Sequence, residues 1–94
     1  MKTLFLLMAQ FDGRVLIPFE EVRAAFFPHL DADNLTRKLN RGEITLPVVR
    51  ADRSTKTARS FYVHDLAEWI DTQRAIAVKE RNQLCSLKDQ EASD

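Results

Sequence analysis

Two glycines and three prolines punctuate this chain, and all five lie in its first half, at Gly13, Pro18, Pro28, Gly42 and Pro47. Proline locks φ and lacks an amide donor, and glycine enters the left-handed region freely, so each marks a place where regular structure starts or stops. The first half is therefore cut into short elements. Leu4, Leu7, Met8 and Phe11 recur at i, i+3, i+4 and i+7, which predicts a short helix with Thr3 capping its start and Gly13 ending it. Phe5 and Leu6 leave a fully buried strand open as the alternative. Val15 to Ile17 is a β-favouring triplet, long enough only for an edge contribution. Pro18 suits a first helical turn, Glu20 and Glu21 complement the dipole there, and Phe19, Val22 and Phe26 share one stripe with Ala25 beside them. With Pro28 as the stop, this second helix is expected from about Pro18 to Phe27. Asp31 is an N-cap for a third helix running to about Arg41, where Gly42 supplies the C-terminal turn.

After Gly42 the pattern changes. Ile44, Leu46, Val48 and Val49 surround Pro47, a polar loop runs from Ala51 to Arg59, and Phe61, Tyr62 and Val63 follow, which predicts a β-hairpin. A last helix is expected to start near Asp65 and to carry Leu66, Trp69, Ile70, Gln73 and Ala77 on one stripe, Trp69 closing the core under the hairpin. From Ile76 to Leu84 the apolar residues scatter around that helix, as they do in a dimer or partner contact, or in a frayed extension. Residues 1–83 form one expected domain, and residues 84–94 an expected disordered tail. A chain of 94 residues, 45% hydrophobic and 30% charged, supports one modest core. The single Cys85 cannot form an internal disulfide, and the apolar run Leu4 to Ala9 is too short to span a membrane, so a cytoplasmic setting without membrane association is expected.

Net charge is zero, yet the charges are segregated. Between Asn34 and Ser60 stand seven basic residues (Arg37, Lys38, Arg41, Arg50, Arg53, Lys56, Arg59) against Glu43 and Asp52, a local balance of +5. That is the layout of a phosphate-facing surface, or of a solvated polar stretch. At about 100° per residue, with Ala32, Leu35 and Leu39 inward, Arg37 points away from the core. Arg41, Asn34, Asn40 and Asp33 lie beside it, and Lys38 and Thr36 at the flanks. Arginine can grip a guanine edge or a phosphate with two donors, asparagine can pair with adenine, and lysine and threonine suit backbone oxygens. The hairpin tip, with Arg53, Lys56 and Arg59 among serines and threonines, has the chemistry of a wing over phosphate. The candidate DNA contacts are thus Asn34, Thr36, Arg37, Lys38, Asn40, Arg41, Arg50, Arg53, Lys56 and Arg59. The alternatives are an amphipathic helix with a wet outer face and a surface loop.

The order of a strand-like residue, a helix from Pro18, a helix ending at Gly42, a basic hairpin and the segment Val63-His64-Asp65-Leu66-Ala67-Glu68-Trp69-Ile70 resembles the excisionase and MerR-like winged helix DNA binders. Four stretches are more specifically similar to the pyocin activator protein family: Thr3 to Phe11, Val15-Leu16-Ile17-Pro18, Gly42 to Arg50, and His64-Asp65-Leu66-Ala67. The resemblance covers roughly Thr3 to Arg74. It implies a bacterial or prophage activator that binds repeated promoter boxes upstream of bacteriocin genes and switches on their transcription after DNA damage. Two routes of activation are open, contact with RNA polymerase and displacement of another component. It brings no catalytic residues and no map of base contacts.

Together these readings give an α+β, mostly α, winged helix-turn-helix of three to four helices with a small hairpin wing. It would bind double-stranded DNA as a homodimer or as side-by-side copies. No metal, cofactor or catalysis is expected: His29 and His64 stand far apart, and no glycine-rich phosphate loop, metal-ligand spacing or nucleophile arrangement is present. An excisionase-like protein that bends DNA and an adaptor that binds proteins through Leu66 to Leu84 are the alternatives.

Overall fold

The computed structural model describes residues 2–50 and 58–93, with side chains through residue 87. It is mostly helical with one small sheet, in the order α1 (Lys2–Gln10), β1 (Leu16–Pro18), α2 (Phe19–Phe26), α3 (Ala32–Asn40), β2 (Val49–Arg50), β3 (Arg59–Tyr62) and α4 (Val63–Ser93).

The first segment is a helix, as its spacing predicts, and not the alternative strand. Leu7 and Phe11 are buried, and Leu4 and Met8 pack against the same core. Asp12 and Gly13 both take positive φ, at 58° and 72°, and the Gly13 amide returns to the Met8 carbonyl. Arg14 then folds back, its backbone amide and its Nε both donating to the Phe11 carbonyl, at 3.2 and 3.0 Å, so main chain and side chain together close the helix end. Thr3 is not a cap. It lies inside α1, and its hydroxyl donates to Asp71 Oδ1 of α4 at 2.6 Å, a tertiary bond. Since residue 3 meets residue 71 while the Val63 amide reaches the Val15 carbonyl, α1 runs antiparallel to the start of α4.

The sheet is antiparallel with strand order β1-β3-β2. β3 is central, and its pairs Ile17↔Phe61 and Val49↔Ser60 set the register. The strand at β1 is one residue later than the Val15–Ile17 triplet suggests, because Pro18 still pairs as the last residue of an edge, where its missing donor costs nothing. α2 accordingly starts at Phe19 with Pro18 in the N-cap position. The hairpin is shorter than expected: Ile44 to Val48 form no strand, although Leu46 is buried, and only Val49–Arg50 pair. Val63 belongs to α4, not to the hairpin.

Phe61, Ile17, Leu35, Leu66, Val22 and Val63 are the largest fully enclosed side chains, so β1, β3, α2, α3 and α4 all contribute to one core. Trp69 packs against the core as expected, with Phe27 at the end of α2 as an aromatic neighbour, ring centroids 5.2 Å apart. The core-facing stripe of α4 ends at Asp71, where α1 begins. From Thr72 to Leu87 every side chain is exposed except half-buried Val78, including Gln73 and Ala77, expected on the stripe. The helix nevertheless continues to Ser93, so residues 84–93 of the segment expected to be disordered are helical, because no glycine or proline interrupts them and they are mostly good helix formers. At about 1.5 Å per residue α4 is about 46 Å long and accounts for most of the 61 Å long axis.

Candidate nucleic-acid interface

α3 is held from three sides. Asp31 caps it as expected, its carboxylate accepting from the Asn34 amide at 2.8 Å. Gly42, at φ 73°, follows the C-cap, and the Glu43 amide closes the last turn on the Lys38 carbonyl. Leu35 is fully enclosed, with Ala32 and Leu39 packed beside it. The connection from α2 is tight: the Leu30 amide donates to the Phe27 carbonyl, and Arg23 Nη1 donates to the Leu30 carbonyl at 2.8 Å. His29 lies exposed in this connection, and His64 is exposed at the entry to α4, its ring 5.0 Å from Tyr62.

With the core face so anchored, Asn34, Arg37, Asn40 and Arg41 are all exposed on the opposite side, and Arg50 is exposed at the hairpin base. Among the described residues no carboxylate lies within ion-pair distance of Arg37, Arg41 or Arg50. Lys38 is different: it is half-buried, with its ammonium 3.6 Å from Glu43. Thr36 is half-buried too, and its hydroxyl is occupied twice. It donates to the Ala32 carbonyl and accepts from Arg59 Nη1, both at 2.7 Å. Arg59 is the residue whose surroundings sequence reasoning missed. Its guanidinium lies 3.9 Å from the centre of the Phe19 ring, which in turn stacks on Phe61. Nothing local in the sequence signals this, because Arg59, Thr36 and Phe19 come from three separate elements. Arg53 and Lys56, and most of the predicted wing, lie outside the described residues.

The basic residues of α2 and its approach are arranged otherwise. Arg14 bridges to Glu21 with both terminal nitrogens, and Arg23 grips Glu20. The Arg23 hydrogen bonds hold the Glu20 carboxyl below its ordinary value, and Glu20 in return raises that of Arg23. Among the described residues no cluster of three or more His, Cys, Asp or Glu could hold a metal ion. No helix there is long and apolar enough to cross a membrane.

A small, mostly helical α+β domain whose third helix is anchored by its apolar face and turns an unneutralised basic face to solvent defines the class. The chain belongs to the pyocin activator protein PrtN family, whose model matches residues 3–77. Membership points to transcriptional activation of pyocin genes. No curated protein and no solved structure matches the chain. The family match ends at Ala77, a few residues past the point where α4 leaves the core, so the distal half of α4 lies largely outside it.

Proposed function

We propose that this chain is a winged helix-turn-helix activator that reads repeated promoter boxes of pyocin-type bacteriocin genes in double-stranded DNA, in the cytoplasm of the cell or prophage host, without catalytic activity of its own. The observation that carries the reading is the exposed face of α3: Asn34, Arg37 and Arg41 stand side by side opposite Leu35, on a helix fastened at both ends. An anchored helix with a free polar face is what major-groove insertion requires, since its side chains must reach base edges while its backbone stays fixed. In this reading α3 enters the major groove, Arg37 and Asn34 meet base edges, and Arg41 and Arg50 meet phosphate. Arg53 and Lys56 clamp an adjacent phosphate strand or the minor groove. One protomer covers few base pairs, so a box takes two or more copies, paired or side by side, and RNA polymerase is the partner they recruit.

Fluorescence anisotropy with a labelled duplex carrying a pyocin-promoter box and a shuffled duplex, each titrated across salt, tests the proposal. Box-selective binding whose affinity falls steeply with salt is expected. Equal, weak binding to both duplexes would remove sequence reading, and no binding to either at low salt would remove DNA binding altogether.

A further inference from the structure

The β2–β3 pairing places two arginines directly opposite one another, Arg50 and Arg59. Like charges at opposed positions repel, so such a pair persists when one member is stabilised elsewhere. Arg59 has that second set of partners. Its guanidinium carbon sits over the ring of Phe19, the first residue of α2, 3.9 Å from the centre, and Nη1 donates to Thr36 in the middle of α3, whose hydroxyl is itself tied to the Ala32 carbonyl. A single side chain from the central strand of the sheet therefore touches both helices of the helix-turn-helix. Arg50 stays exposed.

We propose that Arg59 is a positioning residue, a bracket that sets the angle between α3 and the hairpin, and that Arg50 is the member of the pair left to meet DNA. The inference rests on the DNA-binding reading above and deepens it. Only arginine serves: stacking needs its flat, weakly hydrated guanidinium, and the bond to Thr36 needs a donor that stays in the plane while the face remains on Phe19. Lysine keeps the charge and loses the bracket. A phosphate contact has the opposite dependence, since a lysine ammonium grips phosphate as a point charge.

The test compares Arg59→Lys, Thr36→Val and the double variant on the box and shuffled duplexes. If Arg59 is the bracket, Arg59→Lys lowers the ratio of box to shuffled affinity about tenfold while the shuffled affinity and its salt slope stay at wild-type values. Thr36→Val lowers the ratio similarly, and the double variant falls no further than Arg59→Lys alone, because both changes break one link. Wild-type behaviour of Arg59→Lys would overturn the proposal, as would a full ratio in Thr36→Val or additive losses in the double variant. If the wild-type chain binds neither duplex, the DNA reading fails and the bracket is decided on the free protein by NMR. Ring-current-shifted Arg59 δ protons and faster amide exchange across α3 in Arg59→Lys are expected, and unshifted δ protons with unchanged exchange would overturn it.

Discussion

Helices α2 and α3, with the residues that flank them, each carry two arginines and use them in opposite ways. On the α2 side, Arg14 and Arg23 are each matched by a carboxylate, Glu21 and Glu20, and each also donates to a backbone carbonyl, that of Phe11 and that of Leu30. Those arginines fasten the connections between helices. On α3, Arg37 and Arg41 have no such partner among the described residues, and the helix is fastened instead by Asp31, Leu35 and the Thr36–Arg59 bond. Charge at a surface thus becomes available to a phosphate backbone only where other groups have taken over the structural work. The zero net charge of the whole chain conceals this, because acidic residues before Asn34 and after Ser60 offset the positive excess between them.

The contrast can be broken in several places. The largest effect is expected at the hidden side of α3: Leu35→Ala removes a fully enclosed side chain and should cost about 2–5 kcal/mol of stability in urea unfolding. A cost near zero would mean that α3 is not held by its core face. Arg37→Ala, on the exposed side, should leave unfolding unchanged, weaken box binding by about 1–3 kcal/mol and relax specificity. Unchanged binding to both duplexes would place the reading surface elsewhere. Asp31→Ala removes the N-cap and should cost about 1 kcal/mol of stability, a loss that Asp31→Asn largely restores. Arg14→Ala is the control on the α2 side. Its ion pair is solvent-exposed, so stability should fall by about 1 kcal/mol or less, with DNA affinity and salt slope unchanged. A reduced salt slope there would show that the α2 side also meets phosphate.

The smallest effect concerns pH. Glu20 has a lowered pKa because Arg23 hydrogen-bonds its charged form, so its contribution to stability is present above the ordinary value near 4.5 and is lost as pH falls through the lowered folded value. Thermal melting of Glu20→Gln should therefore differ slightly from wild type at neutral pH and converge with it in acid. A difference that persists in acid would assign the effect to packing.

Where a signal is local, the sequence was readable. The cap at Asp31, the glycine turn at Gly42 and the 3.6-residue spacing of Ala32, Leu35 and Leu39 together placed α3 to within a residue and aimed Arg37 outward. Trp69 illustrates the limit. Its stripe position was legible, but its pairing with Phe27, 42 residues earlier, is set by tertiary packing. Thr3 likewise has a capping residue's chemistry, and its hydroxyl is claimed by Asp71 because the antiparallel packing of α1 on α4 brings the two together.

By itself, the sequence determined where α3 begins and ends, where α1 and α2 stop to within a residue or two, which face of each is apolar, and where positive charge is concentrated. Those properties follow from backbone dihedral preferences and helical periodicity, which act over a few neighbouring residues. The tertiary structure alone decided which basic residues are left for a partner. Arg59 and Arg50 are both arginines on one hairpin, and they differ only because Phe19 and Thr36, remote in the chain, stand where one guanidinium can reach them. A side chain's availability depends on its nearest neighbours in space, and those are set by packing of elements that the chain order keeps apart.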